Sequence, residues 1–225
     1  MALNHSPSIV TNGLVLYLDA ANRRSYPGSG TSWFDLSGNN NHGTLTNGPT
    51  FSSANGGGIV FDGSNDYVVS ANNTNISGSA ARSLCAFFYL TKSSSNYINV
   101  IKIGNSNNNA ALFEILLQQN SIVGHFWGTN QAFAADSKKI LLNNYTYVVM
   151  TYSGSIVNAY VDGYFIYSGI FNLNTSNTQL FCGLKEYYEH ENYQGSQFMA
   201  HLYNRALSPA EIVQNYNAIK GRFGL

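Results

Sequence analysis

Residues 195–225 read Gly195-Ser-Gln-Phe-Met-Ala-His-Leu-Tyr-Asn-Arg-Ala-Leu-Ser-Pro-Ala-Glu-Ile-Val-Gln-Asn-Tyr-Asn-Ala-Ile-Lys-Gly-Arg-Phe-Gly-Leu225, and two periodicities meet in them. The first half alternates like a strand, with Phe198, Ala200 and Leu202 on one face and Met199, His201 and Tyr203 on the other. The second half predicts a helix. Ser208 stands at its N-cap, and Glu211, three residues on, completes a capping box. Pro209 takes the first helical position, where its missing N–H costs nothing. Leu207 and Ile212 are spaced as a hydrophobic staple. Ile212, Val213, Tyr216 and Ile219 make one apolar stripe, and Gly221 after Lys220 reads as the stop. A lone amphipathic helix behind a strand needs a sheet surface to lie on.

Upstream, the chain reads as strand and turn. Gly13 to Leu18 is a short apolar run. His42 to Thr46 is a brief strand stopped by Asn47-Gly48-Pro49, and Ile59-Val-Phe-Asp62 and Tyr67-Val-Val69 flank a tight turn. Further strands are predicted over 83–90, 97–103, 110–117, 121–127, 145–152, 156–161, 164–169 and 179–184. Asp162-Gly163 is a type I′ hairpin signal. About a dozen short strands with no helical pattern between them favour an all-β antiparallel two-sheet jelly-roll sandwich over βαβ units. No change of composition marks a linker, so residues 1–225 are expected to form a single domain.

Composition narrows the function. Acidic and basic residues number 11 each, for a formal net charge of zero. Such a chain has no basic field to hold a phosphate backbone, so nucleic acid is not an expected partner. The 21 Gly and 30 Asn favour tight connections, since both tolerate positive φ. Cys85 and Cys182 match no zinc spacing and read as small buried residues, or as a disulfide if their strands are neighbours. The first residues lack the basic and apolar regions of a signal peptide, and no run reaches transmembrane length; membrane insertion is not expected.

Several constellations are candidate sites. The turn Asp62–Asp66 offers carboxylate and amide oxygens at Asp62, Asn65 and Asp66. These suit either a calcium ion or the backbone N–H groups of the turn itself. The loop Glu186-Tyr-Tyr-Glu-His-Glu-Asn-Tyr193 concentrates rings and polar groups. Tyr187, Tyr188, His190, Asn192 and Tyr193 are the groups a carbohydrate site uses, or equally the rim of a protein contact or a solvated loop. Its Glu186, Glu189, His190 and Glu191 have no recognised metal spacing. Trp127, at the end of a strand, is a further candidate sugar platform. Catalytic signals are missing. Glycoside hydrolysis needs two carboxyl groups about 5–9 Å apart, whereas Glu114 stands alone among Phe113, Ile115 and Leu116. No nucleophile elbow, phosphate loop or dinucleotide fingerprint occurs. The expectation is a protein that is not an enzyme and requires no cofactor.

The segments Gly13-Leu-Val-Leu-Tyr-Leu-Asp-Ala20, Ser25-Tyr-Pro-Gly-Ser-Gly-Thr31, Trp33, Asp35-Leu-Ser-Gly38, Gly43-Thr-Leu-Thr-Asn-Gly-Pro49, Val60-Phe-Asp-Gly-Ser-Asn-Asp-Tyr-Val68 and Tyr203-Asn-Arg-Ala-Leu-Ser208 together form a pattern. It resembles the laminin-G-like domains of the concanavalin A-like lectin/glucanase superfamily, in the subset found in structural proteins of tailed bacteriophages. The resemblance implies a jelly roll whose chain ends meet, with the last helix packed on the sandwich and Trp33 in packing. It implies a non-enzymatic virion protein made in the host cytoplasm, a decoration, fibre or tail-associated subunit. Expected partners are other virion proteins and host-surface glycans, and a homo-oligomer is plausible. The alternative is a dedicated carbohydrate-binding adhesin; a glycoside hydrolase is the remaining option. Many relatives carry an acidic pair, one member of which can ligate calcium, where this chain has Phe198 and Met199. These cannot bind a hard cation, so Asp62, Asn65 and Asp66 are what remains of a calcium site.

Overall fold

The computed structural model describes residues 7–104, 111–119, 121–126, 131–135, 140, 142–176, 179–184 and 190–225. Its strands are β1 (Leu14–Asp19), β2 (Ser32–Trp33), β3 (Gly43–Thr46), β4 (Thr50–Ser52), β5 (Gly58–Asp62), β6 (Tyr67–Ser70), β7 (Arg82–Leu90), β8 (Tyr97–Gly104) and β9 (Leu112–Gln118). After these come β10 (Ser121–Phe126), β11 (Gln131–Ala135), β12 (Tyr145–Tyr152), β13 (Ile156–Val161), β14 (Tyr164–Ile170), β15 (Leu180–Cys182), β16 (His190–Glu191), β17 (Gln194–Tyr203) and helix α1 (Pro209–Lys220). They form two sheets. One runs β14-β13-β12-β7-β17-β5-β4 with β1 also on β17; the other runs β11-β10-β9-β8-β15-β6-β3-β2 with β16 on β8. Every pairing is antiparallel except the short one between β16 and β8. The expected all-β sandwich with one C-terminal helix is what forms.

The terminal strand is the middle of its sheet. β7 runs along one edge of β17, while β5 takes the first half of the other edge and β1 the second. The two ends of the chain are therefore hydrogen-bonded neighbours, and Leu18 lies opposite Ala200. Between the sheets, Leu16, Leu18, Trp33, Phe61, Phe88, Phe113, Val148, Leu180 and Leu202 belong to one continuous core. Trp33 is fully buried in it, as packing predicts.

A second apolar layer lies on the outer face of the first sheet. There Phe87, Tyr147, Val149, Met199 and Tyr203 meet Ile212, Ile219 and Phe223. Ser208 Oγ accepts the Glu211 N–H and the Glu211 carboxylate accepts the Ser208 N–H, so the capping box forms with Pro209 inside it. Leu207 and Ile212 are both buried, as the staple requires. Arg205 grips Glu211 through two hydrogen bonds of 2.6 and 2.9 Å and also donates to the Asn12 carbonyl at 3.0 Å. That pairing pulls the Glu211 carboxyl down to about 2. The Asn-Arg-Ala-Leu-Ser motif thus joins the start of the helix to the start of the chain.

Four details of this segment differ from the sequence reading. A bulge between Gln197 and Met199 turns Phe198 to the helix side, away from the face of Ala200 and Leu202. Val213 is 41% exposed, and Asn215 takes its place in the buried face. The Asn215 side chain accepts the Val10 N–H at 2.8 Å and donates to the Tyr203 hydroxyl at 3.0 Å, so a polar residue locks both chain ends to the helix. Gly221 has helical φ and opens a 3-10 turn; the left-handed stop is Gly224, at φ 72°. Asp162 and Gly163 both have positive φ, 52° and 84°, as a type I′ turn demands. Cys85 lies under the helix and Cys182 between the sheets, both as free thiols, so no disulfide joins them.

Candidate functional site

The outer face of the second sheet is apolar by strand composition yet carries a row of polar side chains. In β9, Phe113, Ile115 and Leu117 point into the core, so alternation sends Glu114 outward. The two-residue turn between β9 and β10 sets Gln118 opposite Ser121, and counting four residues back along each strand places His125 opposite Glu114. On the other side of Glu114, β8 presents Lys102. Glu114 Oε1 lies 2.7 Å from His125 Nδ1, and its Oε2 accepts from Asn99 Nδ2 at 2.9 Å. Glu114 and Lys102 are fully buried, whereas the His125 side chain keeps 22% of its surface exposed. The Lys102 ammonium also sits 4.9 Å from the centre of the Phe181 ring, and Tyr97 stacks on His125 with ring centres 6.3 Å apart.

Both oxygens of the Glu114 carboxylate are occupied. His125 and the Tyr97 ring stacked on it are the partly exposed members of the row, an imidazole beside a phenol, groups that can hydrogen-bond to and stack on a polyhydroxylated ligand. Glu114 is thus the buried partner of His125 and Asn99.

The end of the loop Glu186–Tyr193 reaches this sheet. It forms β16, where His190 pairs with Tyr97 and Glu191 with Ile98. His190 and Tyr97 are therefore neighbours along one strand edge, and the partly buried Asn192 follows. Tyr187, Tyr188 and Trp127 lie outside the described residues; Trp127 follows the far end of β10. Tyr193 is a correction. It is 1% exposed, its ring stands edge-on to Phe61 at 5.2 Å, and its hydroxyl donates to the Ser196 carbonyl at 3.0 Å. It is a core residue, since the chain turns inward there to enter β17, and it cannot stack on a ligand.

The acidic turn lies beside the end of that loop, because Asp62 pairs with Gln194 across β5 and β17. Its carboxylates serve the backbone. Asp66 Oδ2 accepts the Asp62 N–H at 3.0 Å and Asp62 Oδ1 accepts the Ser64 N–H at 2.7 Å. The Asn65 carbonyl accepts from Asn47 Nδ2 at 2.9 Å. Asp66 is 4% exposed, and burial raises its carboxyl above the usual range. Calcium takes six to eight oxygens, and among the described residues no group of three or more acids, histidines or cysteines converges on one point. Phe198 and Met199 pack against the terminal helix.

A family model described as the concanavalin A-like lectin/glucanases superfamily matches residues 62–213. The chain belongs to that superfamily. No curated protein matches the sequence. Solved structures with the same fold include the binding domain of Paraclostridial mosquitocidal protein 1 (TM-score 0.71, 17% identity, covering 92% of this chain and 52% of that one). Domain 4 of AbnA, a GH43 extracellular arabinanase from Geobacillus stearothermophilus in complex with arabinotriose, is also similar (TM-score 0.66, 16% identity, 90% of this chain and 98% of that one). So is botulinum neurotoxin type C, whose cell entry depends on interaction with two ganglioside molecules (TM-score 0.72, 16% identity, 93% and 52%). The chain spans about half the length of the two toxin chains. At these identities the likeness is one of fold.

Proposed function

We propose that this lectin-like domain is a non-enzymatic recognition module of a tailed-bacteriophage particle, a decoration, fibre or tail-associated subunit that contacts other virion proteins and holds host-surface glycans. The observation that carries the recognition half is the outer face of the second sheet: rings and hydrogen-bonding groups around one carboxylate whose two oxygens are already engaged. On this reading the face binds without cleaving and requires no cofactor. The arabinanase domain solved with arabinotriose and the ganglioside-dependent neurotoxin support a sugar as ligand for a sandwich of this shape. The particle half is supported by the paired motifs at the two chain ends, and the neutral surface fits protein and sugar partners better than nucleic acid.

A glycan array that includes arabinan fragments and gangliosides tests the first half. The wild type binds, and Tyr97→Ala or Tyr187→Ala loses binding with unchanged thermal stability. A wild type that binds no glycan sinks it. Release of sugar, abolished by Glu114→Gln, would overturn the non-enzymatic reading. Mass spectrometry of purified virions tests the second half, and absence of the chain from the particle refutes it.

A further inference from the structure

Arg82 opens β7 with a charge taken out of water. Its side chain is fully buried, yet among the described residues no carboxylate pairs with it. Nε donates to the Ala80 carbonyl at 2.8 Å and Nη2 to the Gly78 carbonyl at 2.7 Å. The guanidinium carbon lies 5.4 Å from the centre of the Tyr152 ring and 5.7 Å from that of Phe113. Nη1 has no hydrogen-bond partner. Burial lowers the group to about 10, so it still carries its proton at neutral pH. Two carbonyls and two ring faces reduce the cost of that charge. They supply no opposite charge, and a buried ion without one is expensive.

Two further donors lie in the same corner. Gly78 and Thr175 form a bridge in which the Gly78 carbonyl accepts the Thr175 N–H at 3.1 Å, and the same oxygen takes Arg82 Nη2. The Thr175 backbone is therefore held against the guanidinium. Ser176 donates its N–H to the Ala111 carbonyl at 3.2 Å, two residues before the Phe113 ring. The hydroxyls of Thr175 and Ser176 are both buried and both without a partner. The Tyr152 hydroxyl is already engaged, donating to the Gly154 carbonyl at 2.8 Å and accepting the Leu173 N–H at 3.3 Å. One corner of the sandwich, where the starts of β7 and β9 meet the segment before β15, thus collects a positive charge and three unanswered donors.

We propose that this corner binds a monatomic anion, chloride or another halide, held by Arg82 Nη1 and the hydroxyls of Thr175 and Ser176. The donor set selects the sign: the guanidinium repels cations, and each hydroxyl is free to turn its proton toward the ion. Enclosure selects the size. All three donor atoms are shielded from solvent, and a spherical ion asks for less room there than a carboxylate or a tetrahedral oxyanion. The way in is short, since Ser79 and Ala80 beside the Gly78 carbonyl are exposed. The ion joins β7 and the segment before β15 and supplies the charge that Arg82 lacks. Stability is then linked to halide concentration.

Thermal unfolding of the full chain at constant ionic strength, with chloride exchanged for gluconate, tests this. For a dissociation constant of about 5 mM, the wild type melts roughly 5–10 °C higher in about 500 mM chloride than in gluconate, and bromide acts like chloride. Arg82→Met, which removes the charge from a side chain of similar reach, melts alike in all three salts. Thr175→Val keeps the shape and deletes one donor, raising the halide dissociation constant about tenfold or more. Anomalous diffraction from wild-type crystals grown in bromide gives a readout that survives if Arg82→Met folds poorly: a bromide peak stands beside Nη1. A wild type that melts alike in chloride and gluconate, a halide effect left intact by Thr175→Val, or a water without bromide signal beside Nη1 overturns the proposal.

Discussion

Acidification destabilises this fold through one imidazole. His201 lies on β17 beneath the terminal helix and is fully buried. Tyr17 stands edge-on to it at 4.7 Å from β1, Cys85 faces it from β7, and Tyr203 is its neighbour on β17. Neither ring nitrogen has a hydrogen-bond partner among the described residues. Burial holds its pKa at about 4, against an ordinary value of 6.5. Asp19 pulls upward, but Arg222, 2.9 Å from Asp19, offsets that pull. Because the folded value is the lower one, the unfolded chain takes up the proton first as the pH falls. Stability from this group is complete above about pH 6.5 and is lost progressively down to about pH 4. A gap of about 2.5 units at 1.36 kcal/mol each corresponds to roughly 3 kcal/mol. Urea unfolding at pH 7 and pH 4 on the wild type and His201→Leu measures it, since groups with the opposite sign, such as the raised Asp66, cancel between the two proteins. The wild type loses about 3 kcal/mol more than the variant. Equal losses, or a folded-state imidazole titrating near 6.5 by NMR, would refute the reasoning.

Two further outcomes concern the clasp and the ionic row. Ending the chain at Leu207 removes Ile212, Ile219 and Phe223 from the second apolar layer. At about 2 kcal/mol for each buried side chain this is a loss of roughly 6 kcal/mol, comparable to the whole stability of many domains. Circular dichroism should find no cooperative melt, and an unchanged melting temperature would show that the helix is an accessory. Glu114→Gln keeps the shape of the row but replaces the carboxylate that lies 2.7 Å from His125 Nδ1 with a neutral amide. A hydrogen bond to a charged group is worth about 1.5–3 kcal/mol, read as a lower urea midpoint; no change would show that the carboxylate's charge is not used.

What could be read in advance was what local rules decide. The capping box, the staple and the Asp162-Gly163 turn each depend on a few adjacent residues, and each formed. The His125–Glu114 pair was within reach as well: a two-residue turn fixes register, and counting along two strands brings the residues opposite. Lys102 and Asn99 were not, because β8 carries a bulge between Asn99 and Ile101 that breaks the count. The bulge at Gln197–Met199 hid the facing of Phe198 for the same reason. Tyr193 misled because polar neighbours in sequence do not reveal where the backbone turns inward. Asn215 misled in the opposite direction, since a polar residue in a buried helix face is recognised only once its partners, Val10 and Tyr203, are known.

The last thirty residues separate the two faces of the molecule by their chemistry. One sheet needs a lid, and β17 and α1 supply it. Phe198 and Met199 form part of the bed in which Phe223 lies, with the Phe198 and Phe223 ring centres 4.8 Å apart. A carboxylate at either position would be buried against aromatic rings, a cost no single ion pair repays. The positive charge at this place comes from the chain itself, as the Arg222 guanidinium on Asp19. This part of the first sheet is thereby committed to closure, and its charges are spent on joining β1 to the chain's last turn. The stretch that decides the fold thus also covers this face with the chain's own helix.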